Sequence, residues 1–136
     1  MTARRPRSLE VPGVTHGNVT IPMGARVGNM IFSSGIAGKD PATNKVPADP
    51  AEQARFAFQN LRTLLENGGA TLEDVGRVTV FVKDESVRDA VNVEWLKCFP
   101  DPQDRPARHT LVHDLRGGML LQLEVIAVVQ DRPEQP

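Results

Sequence analysis

The chain predicts an α+β fold, a mixed sheet with two helices packed on one face. Three observations carry that expectation. Two stretches repeat their apolar residues at intervals of three and four, as amphipathic helices do. Several others alternate or run apolar as strands do, in the order strand, strand, helix, strand, helix, strand, strand. The length of 136 residues suits one domain around a single core.

Residues 1–14 carry charges, two prolines and no periodicity, so they read as a flexible tail ahead of a domain at 15–131, with a short second tail at 132–136. Val19 to Met23 and Arg26 to Ser34 read as two short strands meeting near Gly24, with turn chemistry at Val27-Gly28-Asn29. Gly35 to Asp49 is rich in turn formers and reads as a surface loop. Asp49 then caps a helix: Pro50 suits its first turn, and Glu52 stands three residues on, as a capping box requires. Ala54, Ala57, Phe58, Leu61, Leu64 and Leu65 form its buried stripe, and Gly68-Gly69 ends it.

Val75 to Lys83 alternates as a strand, with Val78, Val80 and Val82 on one face and Thr79 and Phe81 on the other. Ser86, with Asp89 three residues on, caps a second helix whose apolar face is Val87, Ala90, Val91, Trp95 and Cys98 or Phe99, stopped by Pro100. Strands from Ala107 to His113 and from Met119 to Gln130 complete the pattern, joined by Arg116-Gly117-Gly118.

The composition narrows the function. A formal net charge of -1 and 4% aromatic residues disfavour nucleic-acid binding, which needs cationic surface and stacking platforms. The basic cluster Arg4, Arg5, Arg7 is confined to the tail. A single cysteine, Cys98, allows no intrachain disulfide, and no apolar run approaches the length of a membrane helix or a secretory signal, so a cytoplasmic location is expected. Cys98 reads as apolar filler near a helix end. His16, His109 and His113 show no metal-ligand spacing and read as surface or interface residues.

Two charges stand out. In Arg105-Pro106-Ala107-Arg108-His109-Thr110, the alternation puts Arg108, Thr110 and Val112 on one face, so a guanidinium points where apolar side chains point. Glu124 lies inside the apolar strand Leu120 to Val129, where a free charge is expensive to desolvate. Each needs a partner: the other, or an anionic ligand. That last strand is apolar on both faces apart from Gln122 and Glu124, whereas helices cover one face only. Self-association is the simplest cover, and it places Arg108, Gln122 and Glu124 near a subunit boundary.

Val27-Gly28-Asn29-Met30-Ile31-Phe32-Ser33-Ser34-Gly35, Val78-Thr79-Val80-Phe81-Val82-Lys83-Asp84, Arg105-Pro106-Ala107-Arg108 and Leu123-Glu124-Val125-Ile126-Ala127-Val128 stand in the order and spacing of the RidA/YjgF family, which the chain resembles from about Gly17 to Val129. The resemblance implies a chorismate-mutase-type α+β subunit, a homotrimer with sites in the clefts between subunits, and hydrolysis of 2-aminoacrylate and related enamines or imines to 2-keto acids and ammonia. It implies no metal or organic cofactor. It also implies that Arg108 grips the substrate carboxylate, suiting a planar fork, that the Gly35 backbone faces the ligand, and that Asn92 and Thr110 fall on site positions.

Two departures stand out. Where these deaminases usually read Gly-Pro-Tyr-Ser-Gln, this chain reads Val19-Thr20-Ile21-Pro22-Met23, so Ile21 replaces the site tyrosine. Gln122 occupies the position of the glutamate that holds the attacking water, and an amide is no general base. Either Glu124 takes over, or Gln122 only orients water, or the substrate differs, an amino-acid or aromatic-degradation intermediate such as an aminomuconate being one candidate. Alternatives are a non-catalytic sensor that binds 2-keto or other small carboxylic acids through Arg108, an Arg108–Glu124 interface ion pair with no chemistry, and, least favoured by the charge balance, an RNA-cleaving or translation-inhibiting role. Trp95 reads as helix packing rather than a site wall.

Overall fold

The computed structural model describes residues 6–131. Its strands are β1 (Ser8–Leu9), β2 (Gly24–Val27), β3 (Met30–Ser33), β4 (Ile36–Ala37), β5 (Val75–Val82), β6 (Ala107–Val112) and β7 (Leu121–Val128), and its helices are α1 (Pro50–Asn67) and α2 (Arg88–Cys98). They form one mixed sheet in the order β1-β2-β3-β7-β5-β6, with β4 also paired to β7. Among the described residues only β5 and β6 run parallel. Both helices pack on one face, the α+β arrangement expected from the sequence.

The core follows from the alternation. Val78, Val80 and Val82 of β5 and Leu121, Leu123, Val125 and Ala127 of β7 all point at the helices and are buried. The six apolar residues expected on the α1 stripe are buried against them. Each large side chain there contributes about 1.5–3 kcal/mol of transfer free energy. The Asp49 carboxylate caps α1 through the Ala51 N–H at 3.4 Å, but no capping box closes. Glu52 pairs with Arg55 at 3.2 Å instead. The second helix also starts differently from the expectation. Asp84 accepts the Ser86 N–H at 2.9 Å and opens a 3-10 turn, Glu85–Val87, that runs into α2. Ser86 does not cap, because its hydroxyl donates to Asp84.

Residues 8–14 are not a tail. β1 pairs with β2, and Leu9, Val11 and Val14 are buried; three apolar side chains without period are enough to hold this segment. The remainder of the expected tails, 1–5 and 132–136, lies outside the described residues. The hairpin turns at Gly28, φ 61°, as its turn chemistry required, but its strands are β2 and β3. Val19 to Met23 is not a strand. The expected loop after Gly35 contains β4, paired through Ile36 with Leu123 and through Ala37 with Gln122.

β7 enters between β3 and β5, which leaves β6 as an edge strand. The face away from the helices is apolar and open: Phe32 is 40% and Ile126 38% exposed, side by side on β3 and β7.

Candidate active site in two halves

Arg108 is placed by β6. Its backbone is in register with Val78, and Thr110 with Val80, so both project on the helix-covered side of the sheet, at its edge. The Arg108 guanidinium carbon lies 5.1 Å from the centroid of the Trp95 ring on α2, and its Nε donates to Thr110 Oγ1 at 2.9 Å. Trp95 thus backs the guanidinium and also packs on Phe99, with ring centroids 4.8 Å apart and the planes tilted. Asn92 stands half-buried on α2, three residues before Trp95.

Among the described residues no carboxylate lies within ion-pair distance of Arg108. The charge that acts on it is another cation, Arg88, itself held by Glu85 at 2.8 Å. Burial first, and Arg88 second, push the Arg108 pKa below its ordinary value. A guanidinium stays protonated regardless, so the position lacks an anion. Glu124 does not supply it. Glu124 is opposite Thr79 on the uncovered face, exposed, in a concavity of about 330 Å³ that it shares with Arg77, Phe32 and Ile126. The burial expected for Glu124 is thus corrected: alternate residues of β7 face the open side.

Gln122 and Gly35 form the other half. Gln122 projects on the open face, opposite Phe81 and Ala37, into a cavity of about 610 Å³ whose wall includes Gly35 and Ile21. A Cβ on Gly35 would lie 2.3 Å from Gln122 Nε2, so only glycine lets the amide lie across that backbone. Ile21 is 51% exposed and presents hydrocarbon to the cavity. His16 also lines it, with a buried Nε2 that has no hydrogen-bond partner. Desolvation, then Lys39, lower the His16 pKa, and Glu10 opposes them. Lys39, Lys45 and Arg116 complete a positive rim. These three cations were not singled out from the sequence, because nothing in a turn-rich loop marks which of its charges face a cavity.

The structure thus brings together Gly35, Gln122 and Ile21 on one side, Arg108 and Thr110 on the other, and Glu124 with neither. Cys98 takes no part. It is half-buried, accepts from Arg62 Nη2 at 3.7 Å, and burial raises its pKa. Among the described residues no group of three or more His, Cys, Asp or Glu is gathered as a metal site, and no helix is long and apolar enough to cross a membrane.

The chain is thus an α+β sheet-and-helix protein with one open sheet face, an unpaired guanidinium at its edge strand and a glycine-floored cavity. Known proteins give that class a family. Residues 22–129 match the model of the endoribonuclease L-PSP family. A RutC family protein of Haemophilus influenzae is 38% identical over 105 residues, covering 75% of this chain and 81% of that protein. The 2-iminobutanoate/2-iminopropanoate deaminase of Escherichia coli is 36% identical over 107 residues, covering 77% and 84%. The E. coli YjgF crystal structure superposes with a TM-score of 0.78 at 32% identity, covering 93% of this chain and 100% of that one. RidA from a Psychrobacter species gives 0.81 at 26%, with the same coverage. The chain belongs to the RidA/YjgF, or endoribonuclease L-PSP, family.

Proposed function

We propose that this protein is a reactive-intermediate deaminase that hydrolyses small imines, and their enamine tautomers, bearing a carboxylate, and that each site is completed by two copies of the chain. The single observation that carries this reading is Arg108: a half-buried guanidinium with an aromatic backing, a fixed rotamer through Thr110 and no anion of its own. The relative named as an imine deaminase supports the reaction. The homotrimer implied by the family resemblance supports the shared site, since β6, which carries Arg108, is an edge strand and the open apolar face asks for a neighbour.

In this mechanism the Arg108 fork binds the substrate carboxylate and fixes the imine carbon in the neighbouring copy's cavity. Gln122 orients a water there. The water oxygen bonds to the protonated imine carbon while the carbon–nitrogen π pair moves to nitrogen. The added oxygen gives one proton to solvent, which leaves a neutral carbinolamine; its remaining hydroxyl proton passes to nitrogen through water, and carbon–nitrogen cleavage releases ammonia and the keto acid. An iminium carbon is already electrophilic, so positioning suffices where Gln122 offers no base. Asn92 and Thr110 shape the carboxylate side.

The test couples a pyridoxal-phosphate dehydratase to the protein and follows keto-acid release. Acceleration that disappears in Arg108→Ala supports the reading. Saturable keto-acid binding without acceleration would instead support a carboxylate sensor, which the same unpaired Arg108 favours as the second reading.

A further inference from the structure

The cavity beside Gly35 is more positive than a three- or four-carbon imine requires. In the single chain, open to solvent on the side a neighbouring copy would cover, it measures about 610 Å³. Ile21 and Met119 supply hydrocarbon wall, while Lys39, Lys45 and Arg116 line it with cations and no aspartate or glutamate does. Lys39 is engaged, donating to the Thr15 carbonyl at 2.7 Å. Lys45 and Arg116 have no carboxylate within ion-pair distance among the described residues. Asp40 pairs with Lys45 through the backbone only, and its Oδ1 accepts the Ala42 N–H at 2.9 Å. Glu10 acts on His16 through its charge, yet His16 Nε2 is left without a hydrogen-bond partner. An apolar chamber with unmatched cations focuses positive potential inward and selects a ligand with a hydrocarbon body and an anionic far end.

We infer that the substrates this site prefers are imines of dicarboxylic amino acids, with Arg108 of one copy holding the carboxylate beside the imine carbon and Lys45 and Arg116 of the other holding the second carboxylate. This rests on the deaminase reading and deepens it.

The experiment measures keto-acid release from two imines: 2-iminobutanoate, supplied by a threonine dehydratase, and 2-iminoglutarate, supplied by an L-glutamate oxidase with catalase present. For the wild type, kcat/KM for 2-iminoglutarate exceeds that for 2-iminobutanoate. In the double variant Lys45→Gln/Arg116→Gln that ratio falls at least tenfold, through KM for the dicarboxylate. Taking the ratio within one protein sample separates specificity from any loss of folded protein, and Arg116→Glu alone must shift it in the same direction. A wild type that hydrolyses 2-iminobutanoate well but shows no preference, or a ratio unmoved by the substitutions, overturns the inference and leaves the deaminase reading standing. A wild type that accelerates neither reaction overturns both.

Discussion

Arg108 and Gln122 lie on opposite faces of one sheet. The register fixes this: Arg108 is level with Val78 and Gln122 with Phe81, and these are residues of opposite parity on β5. One molecule therefore cannot close both side chains on the same small ligand. If both act in one reaction, the ligand sits between copies.

Replacing Arg108 separates stability from activity. An unpaired, half-buried cation costs desolvation free energy that methionine at the same place does not. Arg108→Met leaves the melting temperature unchanged or raises it by about 2–5 °C. The same change lowers kcat/KM for imine hydrolysis on the order of 10²-fold, the equivalent of losing charge-assisted bonds of about 3 kcal/mol. Thermal melts and coupled assays on one preparation check both.

Gln122 and Glu124 are two residues apart on one strand face but open into different concavities. Gln122→Ala therefore loses most activity, on the order of tenfold or more for a positioned water. Glu124→Gln keeps kcat within about threefold, as expected of a side chain with no general-base role. Comparable losses from both substitutions contradict the assignment.

The open face predicts assembly. Ile126→Asp places a charge beside Phe32 and Thr79 in a surface that a neighbour is proposed to cover. Size-exclusion chromatography with light scattering is expected to show an oligomer for the wild type and a smaller species for the variant. An equally oligomeric variant rules out this face as the interface.

Much of this was legible in the sequence, and the exceptions share a physical cause. The α1 stripe, the alternation of β5 and the face shared by Arg108, Thr110 and Val112 are periodic patterns, which packing enforces. β1 and β4 have two residues each, too short to show any period, and exist only because β2 and β7 offer partners. Glu124 was misread because a strand apolar on both faces hides which side the helices take. The halving of the site was hidden for the same reason: β7 inserts between β3 and β5, a choice of neighbour that no local pattern records.

His16 gives stability a pH dependence. Its pKa is lowered in the fold, so the folded state holds it neutral where the unfolded chain would bind a proton. Stability is therefore lost as pH falls through and below about 6.5, the ordinary histidine value. Urea unfolding at pH 7.5 and 5.5 is expected to show a smaller difference for His16→Gln than for the wild type.

Mixing two inactive variants tests the shared site most directly. Arg108→Ala removes the carboxylate anchor. Gly35→Ala blocks the other half, since its Cβ would lie 2.3 Å from Gln122 Nε2 and must displace the flexible end of that side chain. Unfolded and refolded together in equal amounts, they regain about a quarter of the wild-type imine-hydrolysis rate, because random neighbours restore one intact pair of halves in four. A mixture as inactive as its separate components contradicts a site built from two copies.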